Sequence, residues 1–478
     1  MRSQSAYDKP RGIGPTAVAV LGILVAGGIL HGPAILKGRV LLPSDVVLLM
    51  RPWGPAARER FPDFRFAQNQ LLGPIFEYYS WRHHARLRIR AGEIPLWNPY
   101  EMGGNVLLAN SQSAVLYPPN VLLYVLPLWI GINLTTLLHT WATGLLMLGF
   151  LRALGLRHAA ATAGAITWML CGCLIVWTEF QTPTAALCWL PGALWAGERA
   201  ITLRAEKRAA AGEGQGEAVR GIGLREWACY GSAAAALALS LTAGHPQFAF
   251  YVVLTTVLYL LIRFGGRALL ISAGLIVAAG TLAGATLLPV AEASRINHRR
   301  RDVGYSESVR LRLPPIHLTS LLLPNIRGNP RDYVRIVDGE ARPGNPYIGP
   351  YDFTEYCIYV GIPALILAAL GIAWRWRDRA AMALCVTGIS GLALAMGTAV
   401  GALFFYLVPG YAQFHAPARA VCMVHFALAA LAAFGLDTAL RRGEGQGARD
   451  DGRRLGAVVS AVTAILCIAA WPITGLQL

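Results

Sequence analysis

Long apolar runs alternate with polar stretches from one end of the chain to the other, at a spacing no soluble domain uses. A helix needs about 20 apolar residues to cross a bilayer at about 1.5 Å per residue. Eleven runs meet or approach that length: Gly14–Leu36, Gly131–Leu151, Ala159–Trp177, Thr184–Ala200, Trp227–Leu241, Phe248–Leu261, Ala268–Val290, Tyr356–Trp374, Ala380–Leu407, Ala420–Leu440 and Leu455–Trp471. The pattern predicts an all-α polytopic membrane protein, a single transmembrane domain over residues 1–478. Gly14–Leu36 has no small-residue cleavage site and is too long for a signal-peptide core, so it reads as a retained signal anchor.

Two polar segments interrupt the runs, residues 37–130 and 291–355, and a bundle of simple helical hairpins needs neither. Composition fits the pattern, with 55% hydrophobic and only 14% charged residues. Placing the N-terminus in the cytoplasm puts the short Arg-bearing loops inside, at Arg152 and Arg157, Arg263 and Arg267, Arg375 to Arg379, and Arg441 to Arg454, together with the longer 201–226 loop. The two long segments are then extracytoplasmic. Topology accounts for half of the 42 lysines and arginines behind the net charge of +16. Ten more lie in each long segment and Arg419 stands at the mouth of the tenth run, which implies an anionic substrate or lipid headgroup. The cluster "RINHRRRDVGYSESVRLR", with Arg299, Arg300 and Arg301, is the densest, although most such arginines pair with acids or face solvent. Seven of the eight cysteines fall well inside apolar runs, where a thiol acts as a small hydrophobe, and Cys357 lies at the outer boundary of one, so neither a disulfide framework nor a metal centre is expected.

Chemistry concentrates in the first long segment. Asp45, in "LLPSDVVLLMRPW", lies just past the first run and is suited to general-base work at the membrane boundary, or, more plainly, to capping the start of a short helix. Residues 66–90 show a helical pattern mixing aromatics with His83, His84, Arg82, Arg86 and Arg88, as in a helix lying in the headgroup plane, with Glu77 on it. "GEIPLWNPY" and "EMGGN" then give turns, an interfacial Trp97 with Asn98, and glycines that admit close backbone approach. "NSQSAVLYPPN" supplies Asn110, Gln112 and Tyr117, groups able to orient a sugar, before two prolines start the next helix.

An acid just beyond the first run, then "AGEIPLWNPYEMGGNVLLANSQSAVLYPPN", then "GHPQFAFY" with His245 and Gln247, then "FHAPAR" ending at Arg419, together resemble the YfhO-like family of bacterial membrane proteins. That family belongs with the GT-C-fold glycosyltransferases. The resemblance runs through nearly the whole chain and is most specific from "PLWNP" to "YPPN". It implies a GT-C-like bundle of about eleven transmembrane helices, with two long outer loops bearing interfacial helices. It also implies transfer of a sugar from a polyprenyl-phosphate carrier at the outer face of the plasma membrane, with Asp45 at the position of the family's catalytic acid. Where relatives often carry an Asp, this chain has Gly73, and the nearest acid is Glu77. Members commonly run on past the point matching Leu478 into an accessory outer domain.

The expected partners are a polyprenyl-phosphate-sugar donor, a glycan, lipid or protein acceptor, and membrane lipids, with no nucleic acid. Arg299, Arg300, Arg301 and Arg419 are the candidates for the donor phosphate. Trp97, Asn98, Asn110, Gln112, Tyr117, His245 and Gln247 are those for sugar or acceptor. No cofactor is expected, since no clear DxD pair offers a divalent metal its ligands. A soluble nucleotide-sugar donor is disfavoured because no inner loop is large enough to fold a nucleotide-binding domain. The alternative is a noncatalytic or transport protein for lipid-linked saccharides. Transporters use ionisable residues deep in their spans and internal repeats, and here only His139 and His425 lie near mid-span.

Overall fold

In the computed structural model, residues 14–60, 72–210, 222–296, 304–330, 334–337, 340–343 and 347–444 are described. Helices stand at ten of the eleven runs, and the eleventh, Leu455–Trp471, lies outside the described residues. Pro15–Leu36, Leu128–Ala153, Pro246–Phe264 and Pro417–Gly443 are unbroken and apolar enough to cross a membrane. The chain is a multi-pass helical membrane protein. Prolines set several helix starts, Pro15, Pro246 and Pro363 among them, because a first-turn N–H has no intrahelical acceptor to lose.

Val421–Glu444 is the central helix, and 89% of the most apolar window of its span is buried inside the protein. It packs against Ile362–Arg375, Arg379–Ala395 and His158–Met169. Contact with Ile362–Arg375 is through paired glycines: a Cβ on Gly371 would meet Leu431 O at 2.2 Å, and one on Gly435 would meet Leu367 O at 1.9 Å. Small residues let two backbones meet where lipid provides no hydrophobic drive between helices.

Several predicted straight spans are broken. Ala268–Val290 is two helices meeting at 84°, with Gly280 and Gly284 weakening the joint. Ala380–Leu407 bends by 84° at Gly397–Thr398, where the Thr398 hydroxyl caps the second helix by accepting from Val400 N. Ala159–Trp177 bends by 42° after Met169, and there Gly172 N donates to Tyr359 O at 2.9 Å. The span predicted from Tyr356 begins instead at Ile362, after a short helix Phe353–Tyr356 and an extended stretch. The second long segment folds against the bend at Gly397–Thr398, where Tyr305 Oη donates to Gly397 O at 3.2 Å and Thr398 O at 2.9 Å.

Candidate functional site

The first long segment leaves the Pro15–Leu36 helix and forms a 3-10 turn, Ser44–Leu49. Asp45 sits in its first turn, half-buried, with Oδ1 shielded from solvent. Pro43 occupies the cap position, so Asp45 does not fill the capping role weighed from the sequence. Leu42 packs with Tyr78, Trp81 and Leu123 and ties this turn to the next element. That element is a π-helical turn, Pro74–Tyr79, running into the helix Ser80–Arg90. Its inner face is Tyr78, Trp81, Arg82 and Ala85, while Glu77 on the outer face is exposed.

Next comes a two-residue hairpin pairing Trp97 with Val106 and Asn98 with Asn105. Asn98 is buried and serves the hairpin itself: its Oδ1 accepts from Tyr100 N, and its Nδ2 donates to Glu101, which also accepts from Trp81 Nε1 at 2.8 Å. Trp97 remains half exposed over Gly104, whose missing Cβ makes room for the indole. Asn110 caps the following 3-10 turn by accepting from Gln112 N. Gln112 Oε1 accepts the hydroxyl of Tyr78. Tyr117 points into the bundle. Trp189 Nε1 donates to its oxygen at 2.9 Å and the Tyr117 hydroxyl contacts His139 Nε2 at 2.6 Å, with His139 Nδ1 donating to Thr135 O.

Gly244 joins this segment to the bundle. Its φ is +98°, and a Cβ there would meet Ala114 Cβ at 2.9 Å, Thr182 Cγ2 at 2.9 Å and Ser111 O at 3.0 Å. Only glycine lets the "GHPQF" corner seat against the "NSQSA" turn. His245 then caps the Pro246–Phe264 helix, its Nδ1 accepting from Phe248 N, and its ring lies edge-on to Trp177. Gln247 Nε2 donates to Tyr251 Oη and Ala416 O, and its Oε1 accepts from Arg419 Nη1 at 3.1 Å.

Arg419 is where the parts converge. Its Nε donates to both oxygens of Glu355, at 3.1 and 2.9 Å, and Nη2 donates to Oε1 at 2.5 Å. Its guanidinium lies 5.1 Å from the centre of the Trp177 ring. Glu355, 3% exposed, ends the second long segment. That segment is also held by Tyr305 Oη donating to Thr398 O at the 84° bend and by Ser308 Oγ donating to Phe414 O. The Arg419 charge reaches Tyr78 of the first segment, which burial pushes up to about 12. One cluster therefore links both long segments to the "GHPQF" and "FHAPAR" corners.

Of the residues selected from sequence, the structure brings together Gln112, His245, Gln247 and Arg419. Trp97, Asn98 and Asn110 shape the hairpin and turn beside them, and Tyr117 faces the bundle. Glu77 acts on Tyr78, its neighbour in the chain, and Leu42, three residues before Asp45, shares an apolar cluster with Tyr78. Arg299, Arg300 and Arg301 lie outside the described residues. Sequence reasoning missed two members, Glu355 and Arg82. Arg82 was grouped with the polar face of its helix, yet it shares the buried face with Tyr78, four residues earlier.

His245 gives the site a pH signature. Burial, and then the Arg419 charge, hold its imidazole well below the ordinary 6.5. The folded chain refuses a proton that the unfolded chain accepts, so the stability this residue contributes is present above pH 6.5 and is lost as pH falls below it. The unfolding temperature in detergent is expected to fall from pH 7.5 to 5.5, and His245→Gln should reduce that slope. An unchanged slope in the variant would assign the effect elsewhere.

No family model matches the chain, and no curated protein matches it. Among solved structures, the oligosaccharyltransferase of Archaeoglobus fulgidus in the apo form overlaps with a TM-score of 0.49 at 12% identity, over 96% of this chain and 56% of that one. The chain thus spans little more than half the length of that protein. An overlap at that level sets no constraint on the chemistry of this site.

Proposed function

We propose that this chain is a GT-C-like membrane glycosyltransferase, transferring a sugar from a polyprenyl-phosphate donor to an acceptor at the extracytoplasmic face of the plasma membrane. The observation that carries the reading is the convergence of both long segments on one cluster, where a buried guanidinium, amides, aromatic rings and carboxylates meet at one end of a helical bundle. A lipid-borne substrate needs such a meeting point, because its phosphate stays near the headgroups while its sugar must reach a second substrate from water. Arginine excess in the short loops favours the opposite end as cytoplasmic.

In this reading Asp45 accepts the proton of an acceptor hydroxyl as its oxygen attacks the anomeric carbon. The bond from that carbon to the phosphate oxygen breaks with inversion, and the carrier leaves as a phosphate anion. Negative charge gathers on the leaving phosphate in the transition state, so fixed guanidinium groups stabilise that state more than the ground state. In this reading Gln112, Gln247 and the aromatic residues around them orient sugar or acceptor. All three nitrogens of Arg419 already have partners, so a phosphate approaching it must draw donors from Glu355 or Gln247.

The activity is tested with purified chain, a synthetic short-chain polyprenyl-phosphate sugar labelled in the sugar, and acceptors extracted from envelope membranes. Label is expected to pass to an acceptor with release of prenyl phosphate, and a donor recovered intact under conditions where it binds would overturn the reading. Sidedness is tested separately with Met102→Cys and Ile348→Cys, at positions 95% and 65% exposed in the two long segments. Both are expected to react with an impermeant maleimide added outside intact cells. Reaction only after permeabilisation would invert the topology.

A further inference from the structure

Among the described residues, Arg82 is a buried cation with no carboxylate partner. It is 3% exposed, yet it has one hydrogen bond, from Nη2 to Phe180 O at 3.1 Å. Nε and Nη1 are both buried and have no acceptor among the described residues. A guanidinium carries one N–H on Nε and two on Nη1, so three donors have no acceptor among the described residues. The contrast with Arg419 is direct: that guanidinium is matched by a two-oxygen clamp from Glu355 and by Gln247.

Among the described residues, the groups that act on the Arg82 charge are neutral. Its guanidinium lies 5.8 Å from the centre of the Tyr78 ring, and the groups that act on its charge are the phenols of Tyr78 and Tyr124, with no carboxylate among them. Burial lowers its pKa to about 10, which still leaves it charged at neutral pH. A buried charge without a counter-charge costs several kcal/mol, and an apolar residue of similar volume would avoid that cost. The side chain is also rigidly held. Trp81 and Ala85 pack beside it in one apolar cluster with Tyr78, and the Phe180 carbonyl fixes its tip. The Tyr78 hydroxyl bonded to Gln112, with the Thr182 hydroxyl near it, adds neutral hydrogen-bonding groups on one side.

We propose that Arg82 is an anion subsite whose ligand is a phosphate group; resting on the transferase reading above, that group is the leaving phosphate of the lipid donor. The second N–H of Nη2 runs parallel either to Nε–H or to one N–H of Nη1, so one edge of the planar fork stays open to two oxygens of a tetrahedral oxyanion. Arg419 is then the structural cation that joins the two long segments, and Arg82 is the one that meets the ligand.

The experiment measures binding, independently of turnover, by the ligand-induced rise in thermal unfolding temperature in detergent. Three probes are compared: inorganic phosphate, a short-chain prenyl phosphate, and phosphatidylglycerol in mixed micelles. Wild type is expected to bind prenyl phosphate most tightly, with inorganic phosphate competing. Arg82→Met should weaken prenyl phosphate binding at least about tenfold, the equivalent of one charge-assisted hydrogen bond, while the ligand-free protein is as stable as wild type or more so. Wild-type affinity in Arg82→Met, or a ligand-free protein that is merely less stable, would overturn the subsite and make Arg82 a structural cap on Phe180. If Arg82→Met does not fold, Arg82→Lys decides: it keeps the charge without the fork and should bind more weakly than wild type, whereas equal affinity refutes the proposal. Phosphatidylglycerol binding as tightly as prenyl phosphate would refute the donor assignment in favour of a general anionic lipid. Arg82-dependent phosphate binding without any sugar transfer sinks the transferase reading and leaves the subsite. Transfer with an unchanged donor KM in Arg82→Met does the reverse.

Discussion

Asp45→Asn is expected to keep the fold and donor binding while lowering sugar transfer by about 10²–10⁴-fold, the usual cost of removing a general base. The substitution nearly preserves shape and polarity but cannot take a proton. Asp45 hangs a few residues beyond the end of the Pro15–Leu36 helix, and Leu42 anchors its turn to the Tyr78–Trp81 face, beside the cluster where donor and acceptor are proposed to meet. Its rival is Glu77, one residue from Tyr78 and exposed on the same π-helical turn. Of the other described acids of the first segment, Glu101 accepts from Trp81 and Asn98, Glu93 pairs with Arg88 at the surface, and Glu59 is exposed on the helix Trp53–Arg60. Initial rates of label transfer decide between the two. Wild-type turnover in Asp45→Asn with an inactive Glu77→Gln would move the base to Glu77.

Arg419→Ala is expected to destabilise the protein by about 3–5 kcal/mol, the cost of leaving one member of a buried ion pair without the other. Glu355 keeps only 2% of its side chain accessible, so a carboxylate stranded there has little water to turn to. The loss extends past the pair, since Gln247 Oε1 loses its donor and Trp177 loses the cation on its face. A double variant, Glu355→Gln with Arg419→Ala, should recover much of the loss, because replacing both charges removes the stranded one. Chemical unfolding in detergent across the four proteins of the cycle measures the coupling. Additive effects of the two single changes would show that the pair does not tie the segments together.

How far the sequence carries to this site differs by element. The run lengths and the prolines at run starts made the helices legible, because the length of a span and the missing N–H of proline are local properties. The bends at Gly397 and after Met169 were not legible, since both apolar runs continue through them and the contacts that hold them are tertiary: Tyr305 donating to Gly397 O and Thr398 O, and the hydrogen bond from Gly172 to Tyr359. The same limit hid Glu355, which sits at the end of a polar segment, 64 positions before the arginine it meets. Gln112, His245, Gln247 and Arg419 were found as separate pieces, and their meeting depends on Gly244, whose role is steric and has no signature in a lone glycine. Arg82 had a usable signal. It falls four residues after Tyr78 and one after Trp81, on the face that "YYSWRHHARL" buries, but charge alone assigned it to solvent.

The account rests on the claim that the chain breaks the bond between sugar and carrier phosphate at the face bearing its two long segments. The direct measurement uses sealed vesicles containing the reconstituted chain and a polyprenyl-phosphate sugar labelled in both sugar and lipid, with acceptor supplied on one side at a time. The account predicts one carrier phosphate released for each sugar transferred, only when acceptor is on the side where Met102→Cys is reactive. Label that crosses to the other leaflet with its sugar still joined to its lipid would contradict it and identify a transporter of lipid-linked saccharide.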